Sequence, residues 1–153
     1  MEYTHDDQGL ARQPIGYWSW ATYDAVVPFI RAGLAEHGLA QPQWWILNQL
    51  ADSPGGRPLP DLVALLSGYL DDLETTIEAE TGDLVRRGLA VTEEGTGQVR
   101  ITEAGRALRE AAATTQQARM ATLHAGVSEA EYVATVKVLQ RMIHNVGGRA
   151  WHH

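Results

Sequence analysis

The sequence predicts a mainly α fold with one small β-hairpin. Over most of the chain, apolar residues recur at three- and four-residue steps, which is typical of helices with one buried face. The period changes to two only around residues 89–101, where two short runs flank a glycine-containing turn. A chain of 153 residues with 44% hydrophobic and 20% charged residues is long enough to form a substantial core. We therefore expect one globular domain.

The first long helix is predicted over about residues 16–37. Residues 1–13 carry little hydrophobic pattern and predict a flexible N-terminal arm, so the single domain is expected over 14–153. After this arm, a helical spacing of large apolar residues begins, and Gly38 stands where a helix C-terminus favours a left-handed residue. The helical spacing is formed by Ile15, Trp18, Tyr23, Val26, Val27, Ile30 and Leu34.

Three shorter helices are predicted next. Pro42 suits the first turn of the second helix, where a missing N–H costs nothing. The turn residues 53–56 separate this helix from a third one. That third helix is marked by Leu62, Leu65, Leu66 and Leu70. A fourth helix is predicted from about 72 to 87, ending at Gly88.

The C-terminal half predicts the β-hairpin and two further helices. Residues 89–92 and 98–101 are the strand-like runs. A helix resumes with Thr102 as its N-cap, and the last helix opens with a capping box at Ser128 and Glu131.

Together these elements predict a winged helix-turn-helix module with a helical dimerisation region. Three short helices followed by a hairpin form the winged module, over about residues 40–103. The long helices lie outside it, over about 14–38 and 103–147. A terminal helix with a continuous apolar stripe usually packs against a second copy of itself, so we expect a two-fold homodimer.

No residues predict catalysis, a cofactor or a bound metal. The chain has no cysteine, which excludes disulfides, thiolate zinc sites and a cysteine nucleophile. The six histidines form no metal-binding signature, and His152 and His153 resemble the remnant of an expression tag. No nucleophile elbow, phosphate loop or dinucleotide fingerprint is present. With no signal peptide and no long apolar run, we expect a cytoplasmic protein that is not an enzyme and has no membrane partner.

The acidic residues are concentrated in one segment. The formal net charge of −7 excludes a generally basic coat for nucleic acid, although not a local one. Residues 71–83 hold six of the acids and no base, so the other 140 residues sum to only −1. Asp71, Glu74 and Glu78 are separated by three and four residues, so they are predicted to share one helical face. Such a face is either an ordinary solvated surface or one that repels phosphate groups.

Three segments of the sequence resemble the multiple antibiotic resistance regulator (MarR) family. They are residues 41–47, 84–89 and 101–108, and they occur in the order and spacing of that family. The resemblance covers about residues 15–147, and its most specific parts are Arg87-Gly88-Leu89 and Ile101-Thr102-Glu103-Ala104-Gly105. It implies a triangular homodimer that binds double-stranded operator DNA. Many such proteins release DNA when a small aromatic molecule binds between the dimerisation and DNA-binding regions.

The resemblance also implies which residues contact DNA. The fourth predicted helix corresponds to the recognition helix, with base-facing positions at Glu74, Thr75, Thr76, Glu78 and Ala79. Hydroxyls and carboxylates can contact base edges, so we predict Thr75, Thr76 and Glu78 as DNA contacts. Simple exposed helix surface is the alternative for the two threonines. Arg86 and Arg87 are predicted to contact phosphates.

The predicted wing is shorter and less basic than is usual in the family. Its turn is Glu93-Glu94-Gly95-Thr96-Gly97, and Arg100 is its only base. Arg100 is predicted to contact DNA, or alternatively to pair with a carboxylate within the module.

The aromatic residues suggest a ligand site. Five tryptophans and five tyrosines accompany one phenylalanine, so most rings also carry a polar group. The resemblance places a pocket where the first, second and fifth helices meet, which predicts Trp18, Tyr23 and Trp45 as ligand-binding residues. Core or dimer packing is the alternative for these rings.

Two functions follow from the sequence. The first is a MarR-like transcriptional regulator that binds operator DNA as a homodimer and responds to a small aromatic effector. The second is a winged-helix protein that has lost DNA binding and acts as a small-molecule or protein-binding module.

Overall fold

The computed structural model describes residues 2–70 and 73–150. These residues form seven α-helices, one 3-10 turn and a three-stranded antiparallel sheet, so the predicted mainly α fold with a hairpin is confirmed. The helices are α1 (Asp7–Leu10), α2 (Ile15–Ala35), α3 (Gln41–Ala51), α4 (Leu59–Leu66), α5 (Ile77–Arg86), α6 (Glu103–Leu123) and α7 (Glu129–Asn145). The strands are β1 (Arg57–Pro58), β2 (Ala90–Thr92) and β3 (Gln98–Ile101).

The hydrophobic core lies in the winged-helix module. Helix α3 contacts α4, α5, α6 and β3, which makes it the central element. The largest side chains that are fully buried are Leu34, Ile46, Leu47, Leu50, Leu62, Ile77, Leu84 and Val99. Only Leu34 comes from α2, at the end that reaches the module. Burial of these aliphatic side chains is what holds the helix-turn-helix and the sheet together.

The sheet contains one strand that the sequence did not predict. β2 and β3 form the expected hairpin, with Ala90 opposite Ile101. The two-residue strand β1 adds to the other side of β3, placing Arg57 opposite Val99. Two residues are too few to show a hydrophobic period, so no sequence signal marked β1.

The fourth predicted helix begins later than expected. The sequence predicts its start at about residue 72, but α5 starts at Ile77. Thr76 has an extended backbone (φ −129°, ψ 157°), and its hydroxyl accepts a hydrogen bond from the Ala79 amide at 3.2 Å. Because this N-cap fixes the start of the helix, Glu74 lies outside α5, and the predicted helical face shared by Glu74 and Glu78 is wrong. Asp71, the third acid of that face, lies outside the described residues.

Two smaller differences concern the N-terminal arm and the third helix. The arm contains one short helix, α1, capped by Asp6. Helix α4 ends at Leu66 and tightens into a 3-10 turn over Ser67–Tyr69, so Leu70 lies beyond the helix that it was predicted to mark.

The hairpin begins and ends at the same point of the fold. The Thr102 amide donates to the Leu89 carbonyl at 3.1 Å, and its hydroxyl donates to the Gly88 carbonyl at 2.7 Å. The same hydroxyl accepts from the Gly105 amide at 3.0 Å, which confirms Thr102 as the N-cap of α6. Thr102, which follows β3, is therefore hydrogen-bonded to the two residues that precede β2, and it closes the base of the hairpin.

The long helices differ in how much of their surface is covered. Polar contacts hold α2 against α6: the Gln116 amide donates to the Ile30 carbonyl at 3.0 Å, and Arg119 donates to the Phe29 carbonyl at 2.8 Å. Helix α7, by contrast, has no buried residue. Its predicted capping box at Ser128 and Glu131 is confirmed.

No helix among the described residues is long and apolar enough to cross a membrane. The same residues contain no group of three or more histidine or acidic side chains placed to hold a metal ion.

Candidate nucleic-acid interface

Two threonines with different roles precede the first helical residue of α5. Thr76 caps the helix and is exposed. Thr75 lies just before the cap, is half-buried, and its hydroxyl donates to Glu80 Oε1 at 2.9 Å. Neither residue lies on a helical surface, as was predicted for both, because helical backbone starts only at Ile77.

Two of the three acids of α5, Glu80 and Asp83, have local polar partners. Glu78 and Glu80 lie in the first turn, where carboxylates are stabilised by the helix dipole. Asp83 lies near the other end and pairs with Arg86 and Arg87. Residues 77–87 thus carry three carboxylates and two guanidinium groups. The helix itself is therefore close to neutral, whereas the other three acids of residues 71–83 precede it.

Arg86 and Arg87 lie in different surroundings. The Arg86 side chain is 70% exposed and bonds one oxygen of Asp83 at 2.8 Å. The Arg87 side chain is 34% exposed and donates to three groups. Those groups are the Gly38 carbonyl at 2.9 Å, Gln43 Oε1 at 3.2 Å and Asp83 Oδ2 at 3.3 Å. Arg86 therefore has the freer cation for a phosphate, although both residues were predicted as DNA contacts.

Asp83 is held in its charged form by these neighbours. Partial desolvation acts to raise the pKa of its carboxyl. The hydrogen bond from Arg87 and the positive charges of Arg86 and Arg87 outweigh this, so the pKa of Asp83 lies below its usual value. Asp83 is therefore charged at neutral pH and pairs with both arginines at the C-terminal end of α5.

Replacing Asp83 with asparagine is expected to lower the free energy of unfolding by about 1 kcal/mol at neutral pH. A depressed pKa contributes stability that is present above the ordinary aspartate pKa of about 3.9 and is lost as pH falls through the folded-state value. The difference between wild type and Asp83→Asn in urea unfolding should stay constant from about pH 8 to pH 5 and shrink below about pH 4. Glu94→Gln, in the exposed hairpin turn, is the control. A difference that grows with acidity would contradict this assignment.

The hairpin presents little positive charge. Arg100 Nε lies 3.0 Å from Glu93 Oε1, so the alternative of a carboxylate partner within the module describes this contact. The exposed turn of the hairpin carries a second carboxylate, that of Glu94. Arg100 keeps a side chain that is 44% exposed, but its charge is balanced within the hairpin.

The predicted ligand residues do not all line one cavity. Trp45 lies beside Tyr69, with ring centroids 5.6 Å apart and the planes tilted by 50°. Together with Asn48, Gln49 and Leu66, these rings line a cavity of about 250 Å³. Trp18 and Tyr23 are not among its lining residues and are exposed on α2.

Some residues of this region carried no sequence signal. Gln43 is only 6% exposed and bonds both Asp83 and Arg87, which are 40 and 44 positions away. Asn48 accepts from Arg109 Nε at 2.8 Å across 61 positions. Such pairs form only when the helices pack, so no local pattern could have shown them.

Comparison with known proteins shows the fold. No protein-family profile and no curated protein matches the sequence. A MarR family regulator from Rhodococcus sp. RHA1 is similar, with 18% identity, a TM-score of 0.67, and coverage of 92% of this chain and 97% of its own. A MarR family protein of Mycobacterium tuberculosis in complex with DNA has 22% identity and a TM-score of 0.60, covering 85% and 98%.

A further solved structure is BpsR of Bordetella bronchiseptica, whose DNA binding is regulated by 6-hydroxynicotinic acid. It has 21% identity and a TM-score of 0.64, covering 93% of this chain and 99% of its own. These similarities extend over the winged module and the long helices alike. The chain therefore has the winged-helix fold of the MarR family transcriptional regulators.

Proposed function

We propose that this protein is a MarR-like transcriptional regulator that binds operator DNA as a homodimer and responds to a small aromatic molecule. The observation that carries the proposal is the exposed outer surface of α5, the last helix of the helix-turn-helix, which contacts β2 of the exposed hairpin. An exposed helix of this kind can enter the major groove while its neighbours contact the backbone. Binding to operator DNA would place the protein in the cytoplasm.

The DNA-facing surface in this proposal runs along α5. Glu78 and Ala79 are exposed in its first turn, next to the Thr76 cap. A glutamate can accept from cytosine N4, and threonine and alanine methyl groups can contact the thymine methyl. Arg86 supplies a phosphate contact at the other end. Thr75 acts indirectly by holding Glu80.

The dimer in this proposal is formed by the apolar surfaces of α2 and α7. Helix α7 exposes Tyr132, Val133, Val136 and Met142, and Val146 follows its last residue. Helix α2 exposes Ile15, Tyr17, Trp18, Trp20 and Tyr23. Trp20 is 60% exposed, which is unusual for a large apolar side chain. Exposed apolar side chains in this number favour an association site on these helices. A second copy of the chain is the partner with matching surfaces.

The effector in this proposal binds in the cavity beside Trp45. The tilted rings of Trp45 and Tyr69 offer aromatic contacts, and the amides of Asn48 and Gln49 offer polar ones. Arg109 holds the Asn48 oxygen, so the amide has a defined orientation. Aromatic walls with a few polar groups suit a small flat ligand that carries hydroxyl or carboxyl groups.

A mobility-shift assay with the DNA upstream of the protein's own gene tests the regulator. We expect a shift that weakens with salt, at about 0.9 logarithmic units of affinity per decade of salt for each neutralised phosphate. Adding hydroxybenzoic acids to the assay tests the effector, and release of DNA should disappear in Trp45→Leu. A confirmed dimer that shifts neither this DNA nor a random duplex at low salt would contradict the regulator.

The contacts of Arg100 favour the second function. Because Glu93 balances Arg100 and Glu94 lies at the turn, the hairpin has no unbalanced positive charge to enter a minor groove. A winged-helix module that binds only small molecules or proteins would show this property. Ligand binding by the dimer without any DNA shift would support it.

A further inference from the structure

We infer that Arg87 is a positioning residue that fixes the end of the recognition helix to the junction between α2 and α3, rather than a DNA contact. The inference gains its functional meaning from the proposed DNA binding, because the angle of α5 decides whether the helix fits the groove. The contacts that Arg87 makes within the protein can be tested without DNA.

The geometry of Arg87 shows a side chain with its bonding capacity directed inward. One terminal nitrogen donates to the Gly38 carbonyl at 2.9 Å. The other donates to Gln43 Oε1 at 3.2 Å and to Asp83 Oδ2 at 3.3 Å. These partners come from the α2–α3 junction, from α3 and from α5 itself. A planar guanidinium can reach several such acceptors at once, whereas a lysine ammonium is a single point charge.

Gln43 completes the network from the core side. Its amide oxygen accepts from the Ala40 amide at 3.1 Å and from Arg87, and its amide nitrogen donates to Asp83 Oδ2 at 3.0 Å. Gln43 is 6% exposed, so water has little access to replace these bonds. Loss of one member leaves a buried polar group without its partner, which costs more than the bond itself contributes.

The junction that receives Arg87 is anchored on its other side to α6. Glu36 pairs with Arg119, and the His37 ring is 2.8 Å from the Thr115 hydroxyl. Gly38 has a φ of +64°, so the junction has a backbone geometry that favours glycine. Arg87 thus connects the end of α5 to the segment that also contacts the long helices. The hydrogen bond from Arg87 to the Gly38 carbonyl thereby sets the tilt of α5 relative to the long helices.

Arg86 is the natural comparison. It is the adjacent residue, carries the same charge and also pairs with Asp83. Its side chain, however, is 70% exposed and forms no hydrogen bond or ion pair with α2 or α3 in the described part of the chain. A phosphate contact and a positioning residue respond differently to substitution. Loss of a phosphate contact lowers the salt dependence of DNA affinity. Loss of a positioning residue changes the orientation of its helix and leaves that salt dependence unchanged.

The experiment compares Arg87→Ala, Arg87→Lys and Arg86→Ala with the wild-type full chain. Affinity for the duplex from upstream of its own gene is measured over a series of salt concentrations. Hydrogen exchange of the Gly88 and Leu89 amides, which bond to Val85 and Leu84 at the end of α5, is measured in parallel. We expect both Arg87 variants to lose about tenfold in affinity at every salt concentration, the size of one charge-assisted hydrogen bond, with an unchanged salt slope. Their protection at Gly88 and Leu89 should fall.

The Arg86→Ala variant should show the opposite pattern. Its salt slope should fall by about 1.8 for a dimer that loses one phosphate contact per protomer, with protection close to wild type. The inference is overturned if Arg87→Lys keeps wild-type affinity and protection while Arg87→Ala reduces the slope as Arg86→Ala does.

Failure of DNA binding in the wild type would reject the proposed function and leave the exchange result to decide the inference. In that case, reduced protection in Arg87→Lys but not in Arg86→Ala supports the positioning role. Equal protection in all three variants overturns it.

Discussion

Gly105→Ala is expected to destabilise the protein by about 3 kcal/mol or more, the upper range for overpacking a buried site. Gly105 is buried in the first turn of α6, and a β-carbon added there would overlap the Leu89 carbonyl and press on the Ile101 side chain. The Leu89 carbonyl is backbone, so it cannot turn aside as a flexible side chain would. Urea unfolding followed by circular dichroism measures the loss.

Gly82→Ala is the matched control for this prediction. Gly82 is also a helical glycine, in α5, but a β-carbon there would meet only Arg86 Nη1, at an ordinary 3.7 Å. Because alanine is the better helix former, we expect Gly82→Ala to stabilise by up to about 1 kcal/mol. If both alanine variants had the same stability, close packing at Gly105 would be rejected as the reason for a glycine there.

Val136→Glu is expected to convert the proposed dimer to a monomer. Val136 lies on the apolar stripe of α7 with Tyr132, Leu139 and Ile143, and the two-fold symmetry of a dimer would bury the new charge twice. An unpaired buried charge costs several kcal/mol, so we expect the dissociation constant to rise by about a thousandfold or more. Analytical ultracentrifugation over a range of protein concentrations measures the change.

Ala134→Glu provides the control on the same helix. Ala134 lies on the side of α7 that carries Lys137 and Arg141, and it is exposed. A glutamate there can interact with Lys137 one turn along, so the dimer should persist. A wild-type chain that is monomeric at high concentration, or a Val136→Glu variant as dimeric as Ala134→Glu, would contradict the role of α7.

The fold was predictable because most of its signals are local. The long helices repeat their apolar spacing over many turns, and the caps at Thr102 and Ser128 lie three residues before the helix amides that they accept from. The start of α5 was mispredicted although Thr76, followed by Glu78 and Glu80, is a typical helix start. The preceding run of acids extended the helical pattern and concealed this cap.

The candidate site was less predictable because its contacts join distant segments. The sequence left open whether Arg100 contacts DNA or pairs with a carboxylate, and only the hairpin register brings Glu93 within 3.0 Å. Arg87 was visible as a base near a helix end, but its partners Gly38 and Gln43 lie more than forty positions earlier. The sequence shows where a charged residue occurs, but the group that pairs with it depends on how the elements pack.

The closed base of the hairpin has a consequence for how this protein can change by insertion and deletion. Since Thr102 bonds the carbonyls of Gly88 and Leu89, the chain returns to its point of departure whatever happens between the strands. We therefore expect insertions or deletions at the turn around Gly95 to leave the distance between α5 and α6 unchanged. The length and charge of the hairpin can therefore vary without a change in the relative positions of α5 and α6.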